Sequence, residues 1–212
     1  MDVEQCYHVW SSTYDSDKNS TRDLDEKITR KLLSNKQYDT VLELGCGTGK
    51  NTLFYSAIGK NVDSVDFCQS MLDIARLKVE QQAITNVIIY QTDLKQKQWS
   101  RESNYYDLCA CNLMLEHIEN IEPFFMEVNR ILKINGEFFV SELHPYKQYL
   151  GTKANGVIQS FTHHISDFLH VGKKNGFTMK EMQEWWTNDE ETEHRTPPRL
   201  VTFIFEKMST IS

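Results

Sequence analysis

The chain has 212 residues, 40% hydrophobic and 25% charged, with a formal net charge of −7. These are the proportions of a globular domain large enough to bury a core. The acidic balance, without any basic stripe, argues against a nucleic-acid partner.

The first ten residues, MDVEQCYHVW, lack the basic start and apolar run of a signal peptide. No stretch approaches the ~18 apolar residues of a membrane span. The expectation is a cytoplasmic protein with no membrane contact, acting as a monomer or homodimer. Residues 1–35 read as helical or partly ordered, with DLDEKITRKLL (23–33) the strongest helix. Five short apolar runs follow and read as strands: TVLEL (40–44), VDSVDF (62–67), VIIYQ (87–91), YDLCACNL (106–113) and EFFVSEL (137–143). Between them, residues 69–81 put Met71, Leu72, Ala75 and Val79 near one helical face. Residues 118–133 repeat Ile118, Ile121, Phe125, Val128 and Leu132 at steps of three and four. Asn135-Gly136 then supplies a left-handed stop.

Strand alternating with helix predicts a parallel sheet covered on both faces. The last third differs. Residues 163–177 read as a helix ending near Gly176. FTMKEMQEWW (177–186) and RLVTFIFEK (199–207) read as two strands of an antiparallel hairpin at the sheet edge. Trp185 and Trp186 should face opposite sides of that sheet, in packing roles. From His144 to Thr162 no periodicity is evident, and so long an irregular segment after a strand end is usually functional. The five cysteines (Cys6, Cys46, Cys68, Cys109, Cys111) have no zinc or redox spacing and read as reduced core residues, with no metal site expected.

The stretch LELGCGTGKNT (42–52) spaces glycines at 45, 47 and 49, between a strand and a helix. Glycine there permits positive φ and close approach of a ligand to the backbone, and the helix start offers free N–H groups. A dinucleotide fingerprint needs G-x-G-x-x-G, and its third glycine would fall on Lys50. Glu43, just before the loop, would repel a pyrophosphate and attract an ammonium or sulfonium. Asp66, at the second strand end, suits the two hydroxyls of a ribose. Asp93 is placed to accept an adenine amine, with Phe67 and Met71 against the ring faces. The guest predicted is a nucleoside with a cationic tail.

These segments resemble the class I S-adenosylmethionine-dependent methyltransferases over roughly residues 38–145, nearest to small-molecule enzymes of the quinone-biosynthesis group. VLELGCGTGKNT resembles the family's first motif, VDFCQSMLDIAR its second, QTDL the adenine-contacting segment, YYDLCACNLMLEHI the fourth strand and EVNRILKINGEFFVSE the helix and fifth strand. The resemblance implies an α/β doubly wound sheet of seven strands, ordered 3-2-1-4-5-7-6 with the seventh antiparallel. It implies one domain over 1–212, with 1–36 as a helical cap and 144–165 as a substrate-pocket insertion. The cofactor implied is S-adenosyl-L-methionine, leaving S-adenosyl-L-homocysteine, with a small-molecule acceptor methylated on oxygen or nitrogen. The cofactor-binding set implied is Arg22, Glu43, Gly45, Cys46, Gly47, Gly49, Asn51, Thr52, Asp66, Phe67, Met71, Thr92, Asp93, Leu94, Asn112 and His117. Arg22 is the candidate partner of the methionine carboxylate, the alternative being a solvated Arg22 with Asp15, Asn19 and Ser20 as helix caps.

Methyl transfer is an in-line displacement that positioning can accelerate, and an oxygen or protonated nitrogen acceptor also needs a base. His117, His144, His164 and Tyr14 are the candidates. His117 follows the fourth strand and His144 the fifth. Glu142 reads as structural, and at most one of His163 and His164 can face a site. Tyr146, Tyr149 and Phe161 are candidates to line an acceptor pocket.

Overall fold

The computed structural model describes residues 3–151, 159–187 and 196–209. Two helices open the chain, α1 (Val3–Trp10) and α2 (Ser20–Leu33). Then come β1 (Tyr38–Leu44), α3 (Thr52–Ile58), β2 (Gly59–Asp66), α4 (Gln69–Gln81), β3 (Val87–Gln91) and β4 (Tyr106–Asn112). A 3-10 turn at Leu115–His117 leads to α5 (Glu122–Ile131) and β5 (Leu132–Leu143). The rest is α6 (Pro145–Tyr149), α7 (Ile165–Lys174), β6 (Phe177–Trp185) and β7 (Leu200–Lys207). The seven strands form one sheet in the order β3-β2-β1-β4-β5-β7-β6. Only β7 runs against the rest, antiparallel to both β5 and β6. The expected α/β sheet and its strand order are therefore present.

The central strands are largely apolar on both sides because both faces are covered. On one face Leu42, Leu44, Cys109, Cys111, Phe138 and Val140 meet Phe124, Phe125 and Val128 of α5 and Phe168 of α7. On the other, the intervening residues Val41, Leu108, Ala110 and Phe139 meet Leu33 of α2 and Phe54, Tyr55 and Ile58 of α3. The two-residue period of a strand thus sorts each run into two cores. None of the five cysteines, all buried, is in a disulfide.

Three expectations change in detail. The helix read over 118–133 is shorter. Ile118 is extended, Asn120 Oδ1 accepts the Glu122 N–H at 3.1 Å, and Pro123 sits in the first turn of α5. Ile118 and Ile121 are buried through the turn before the helix, so they mimic its period. β5 starts at Leu132, with an irregular register between Tyr106 and Leu108 of β4. There Asn135 takes the left-handed conformation at φ 63°. The irregular segment after β5 contains the short helix α6, and residues 152–158 within it lie outside those described, as does His194. Trp185 is buried against Leu24, Ile28 and Leu200, while Trp186 lies beyond the strand end, half-buried. Among the described residues no helix is long and apolar enough to cross a membrane.

Candidate active site

A cavity of about 780 Å³ opens at the carboxyl ends of β1, β2 and β4, beneath the N-terminal segment. This is where open α/β sheets bind ligands. Its floor is the glycine loop, where Gly45, Gly47 and Gly49 have φ of 77°, 51° and 79°. A Cβ on Gly45 would lie 2.7 Å from Met114 Cγ, so glycine keeps the loop against β4. Gly47 faces open space, and its N–H donates to Asp66 Oδ2 at 2.9 Å. Gly49 does not reach the cavity. Its Cα faces Ala75 of α4, where a Cβ would stand 3.0 Å from that side chain.

Asp66 closes β2, with Oδ1 accepting the Cys68 N–H at 2.9 Å. Burial raises its carboxyl above the ordinary range, and the backbone hydrogen bonds from Cys68 and Gly47 oppose that shift. Phe67, Met71, Thr92, Asp93 and Leu94 line the cavity on this side. Asp93 Oδ1 takes the Lys95 N–H at 2.9 Å, which shapes the turn after β3.

Cys46, Asn51 and Asn112 also reach the wall. Glu43 reaches it too, but one of its oxygens, Oε2, accepts both the Thr52 and the Ser64 hydroxyls, at 2.5 and 2.8 Å. Burial pushes Glu43 up to about 7. Thr52 therefore sits under the loop as a partner of Glu43 and not in the cavity wall.

The N-terminal segment forms the roof. Asn19 caps α2, accepting the Thr21 and Arg22 N–H groups at 3.0 and 3.1 Å. Arg22 is not left in solvent: its guanidinium lies 3.9 Å from the Tyr14 ring centroid and donates to the carbonyls of Tyr14 and Asp17. Asp15 accepts the Thr48 hydroxyl at 2.8 Å and pairs with Lys78. Lys50, in the place of a dinucleotide glycine, pairs with Asp23 and Glu26 of α2. Tyr14 and Arg22 both face the cavity.

Of the wall residues outside the sequence-based set, two bear on the chemistry. Tyr7 of α1 contacts His117 Nε2 through its hydroxyl at 2.8 Å, and its ring meets those of His117 and Phe67 edge-on. His117 Nδ1 lies 3.4 Å from the Gln159 carbonyl, which only accepts. That assigns the ring proton to Nδ1, leaving Nε2 to accept from Tyr7. Burial lowers the His117 pKa, so the ring is neutral near pH 7. The second is Asp25 of α2, 3% exposed, bonded to Asn51 and Asn112. Its buried company of Leu24, Ile28 and Thr29 was a usable signal, because a charge on the apolar stripe of a helix needs a partner. Tyr7 lies in a stretch without clear periodicity and carried no such signal.

The other candidates are placed elsewhere. His144 Nε2 contacts Glu184 at 2.8 Å and its Nδ1 caps α6. His164 caps α7 and contacts the Tyr149 hydroxyl at 3.0 Å. His163 Nε2 bonds the carbonyls of Leu115 and Ile118, so neither of the adjacent pair faces the cavity. Glu142 accepts the Met114 and Leu115 N–H groups, a structural role. Tyr146 and Tyr149 are 61% and 64% exposed, and Phe161 is tied by its N–H to the Glu116 carbonyl. Of the described part of 144–165, only Gln159 reaches the cavity wall.

Residues 42–140 match the family model described as "Methyltransferase domain". This match and the seven-stranded order above agree with the resemblance to class I, S-adenosylmethionine-dependent methyltransferases. Within that class the chain is similar to a ubiquinone biosynthesis O-methyltransferase from Coxiella burnetii, 26% identical over 136 residues that cover 61% of this chain and 57% of that one. The chain thus spans a little over half the length of the curated relatives it matches first. An S-adenosylmethionine dependent methyltransferase structure from Mesorhizobium loti superposes with a TM-score of 0.68 at 20% identity, covering 81% of this chain and 92% of that one. The cyclase SpnF superposes with a TM-score of 0.76 at 12% identity, covering 97% and 96%, so the fold by itself hosts more than one reaction.

Proposed function

We propose that the chain transfers the methyl group of S-adenosylmethionine to an oxygen of a small-molecule acceptor. The observation that carries this reading is one continuous wall joining the glycine loop, Asp66 and the Tyr7–His117 pair. The similarity to O-methyltransferases favours oxygen over nitrogen. The residues fit the cofactor: Asp66 and the Gly47 backbone suit a ribose, Phe67 and Met71 an adenine ring, and the open space at Gly47 admits the ligand against the backbone. When bound, the cofactor supplies an electrophilic methyl on a sulfonium.

The chain's own residues position and deprotonate. Tyr7 accepts the proton of the acceptor hydroxyl as it passes its own to His117 Nε2, which is neutral and ready to take it. The Gln159 carbonyl, on Nδ1, holds the ring orientation and favours the cation formed. The N-terminal roof keeps water from the reacting groups. Calorimetric titration with S-adenosylmethionine and S-adenosylhomocysteine tests the cofactor assignment. Binding of both is expected, and no binding of either at millimolar ligand overturns it.

Because a cyclase shares the fold, the second reading is a nucleoside-binding member that moves no methyl group. A methylated protein or peptide acceptor is the other alternative. A labelled-methyl assay over small phenols, catechols and peptides separates the three. Label in the small-molecule fraction supports the proposal.

A further inference from the structure

The sheet ends in two edge strands, and they differ in protection. β6 has an irregular register between Met179 and Glu181, and Lys180 between them pairs with Glu206. A bulge and a lysine on an edge are devices that keep a sheet from pairing with another chain. β3 has neither. Its five residues, VIIYQ, carry no charge, and its register to β2 is regular. On it Ile88 is 56% and Tyr90 36% exposed, and Arg101 stacks on the Tyr90 ring at 4.2 Å.

The backbone of β3 has a fixed polarity. The Asn86 carbonyl accepts from Val62 at 2.9 Å and the Thr92 N–H donates to Asp66 at 2.8 Å, both across to β2. Alternate residues of a parallel strand turn their N–H and C=O to the same neighbour. Ile88 and Tyr90 therefore bond toward β2, while Val87, Ile89 and Gln91 turn these groups outward. Among the described residues, the contact made to the outward groups is one long bond, from Arg76 Nη2 to the Ile89 carbonyl at 3.4 Å. A carbonyl has a second lone pair to offer.

We propose that β3 joins β3 of a second copy of this chain, antiparallel, about a two-fold axis at Ile89. In that register Ile89 faces Ile89 of the second copy in a hydrogen-bonded pair, and Val87 faces Gln91. The outward N–H and C=O groups of all three residues are then used. The same register sets Ile88 opposite Tyr90 of the second copy, twice, in the closer non-hydrogen-bonded positions. A β-branched residue against an aromatic one is a favourable cross-strand pair. Moving the axis to Ile88 or to Tyr90 would set one of these two exposed side chains opposite Asn86 or Thr92 instead. Backbone polarity and exposed side chains thus agree on one register, and the strand that fits it is a copy of β3 itself. The pairing does not depend on the reaction that the cavity carries.

Sedimentation equilibrium of the full chain over a range of concentrations reads the pairing directly. The unaltered protein should pass from the mass of one chain to that of two as concentration rises. Ile88→Lys and Tyr90→Glu, both at exposed positions, should each raise the dissociation constant at least about tenfold, because each alters both symmetric pairs. The double variant Ile88→Lys, Tyr90→Glu places opposite charges across those same pairs and should return to within about threefold of the unaltered protein. Amide exchange on the unaltered protein supplies an arm that needs no variant. The N–H groups of Val87, Ile89 and Gln91 should exchange more slowly in concentrated than in dilute solution. A single-chain mass at every concentration up to about millimolar overturns the proposal. So does a dimer that neither single substitution weakens, a dimer that leaves those three amides unprotected, or a double variant as dissociated as the single ones.

Discussion

At the scale of single residues, geometry separates glycines that look alike in sequence. Gly45, with positive φ and Met114 close to where its Cβ would point, cannot be replaced cheaply. Gly45→Ala should cost about 1–3 kcal/mol, from strain and overpacking, in urea denaturation. Tyr7→Phe keeps the ring contacts and removes the hydroxyl on His117. The turnover rate should fall by about 10²-fold with S-adenosylmethionine affinity unchanged, since a general acid–base contribution is lost. Its pH profile carries a sign. A base must be neutral, and burial lowers the His117 pKa, so the acid limb of the rate should lie below the ordinary histidine value of about 6.5. That Asp66, Asp93 and Gly45–Gly47 stand at the cavity wall was legible because strand-end positions follow from periodicity. His144 and His164 were misassigned because a strand or helix end fixes where a residue stands and not where its ring points. Glu184 and Tyr149, distant in sequence, decide that.

At the scale of elements, the sheet was legible because the central strands are short, largely apolar runs between amphipathic helices, and β7 because the terminal pair of strands reads as a hairpin. The start of α5 was not, because Ile118 and Ile121 continue its period while lying outside it. A helical cap over 1–36 was expected from the resemblance, but the contacts that fasten it were not legible. The partners of its polar residues are loop residues distant in sequence: Thr48 for Asp15, and Lys50 for Asp23 and Glu26. One cap is open to test. Asn19→Ala removes two bonds at the start of α2 and should cost about 1 kcal/mol, read from the denaturation midpoint at constant slope. It should also weaken S-adenosylhomocysteine binding, since Arg22 is in that first turn.

At the scale of the whole molecule, buried acids set the response to pH. Burial raises Glu43 and Glu116 to about 7 and Glu142 to about 8. Raised carboxyls bind more protons folded than unfolded. Their contribution is therefore complete below the ordinary glutamate range and is lost as pH rises through about 7 to 8. Asp25 and Asp66 shift in the same direction. His117 and His144 are lowered, so their contribution is present above about 6.5 and is lost as pH falls below it. The melting temperature should peak at mildly acidic pH and fall steadily toward pH 8.5. A melting temperature that rises from pH 6.5 to 8.5 contradicts this assignment.

The roof also sets the molecule's traffic. Tyr7 and Tyr14 cover the cavity, and the segment bearing them is fastened to the floor by polar contacts of Asp15, Asp23 and Glu26 and by the His8–Ser70 contact. Exposed ion pairs of this kind are worth little each, so the covering segment detaches far more easily than the sheet unfolds. If a guest that fills the cavity leaves only after that detachment, opening enters the turnover rate. The clock of turnover would then be the opening of some twenty residues at the amino end, while the chemical step runs in their shelter.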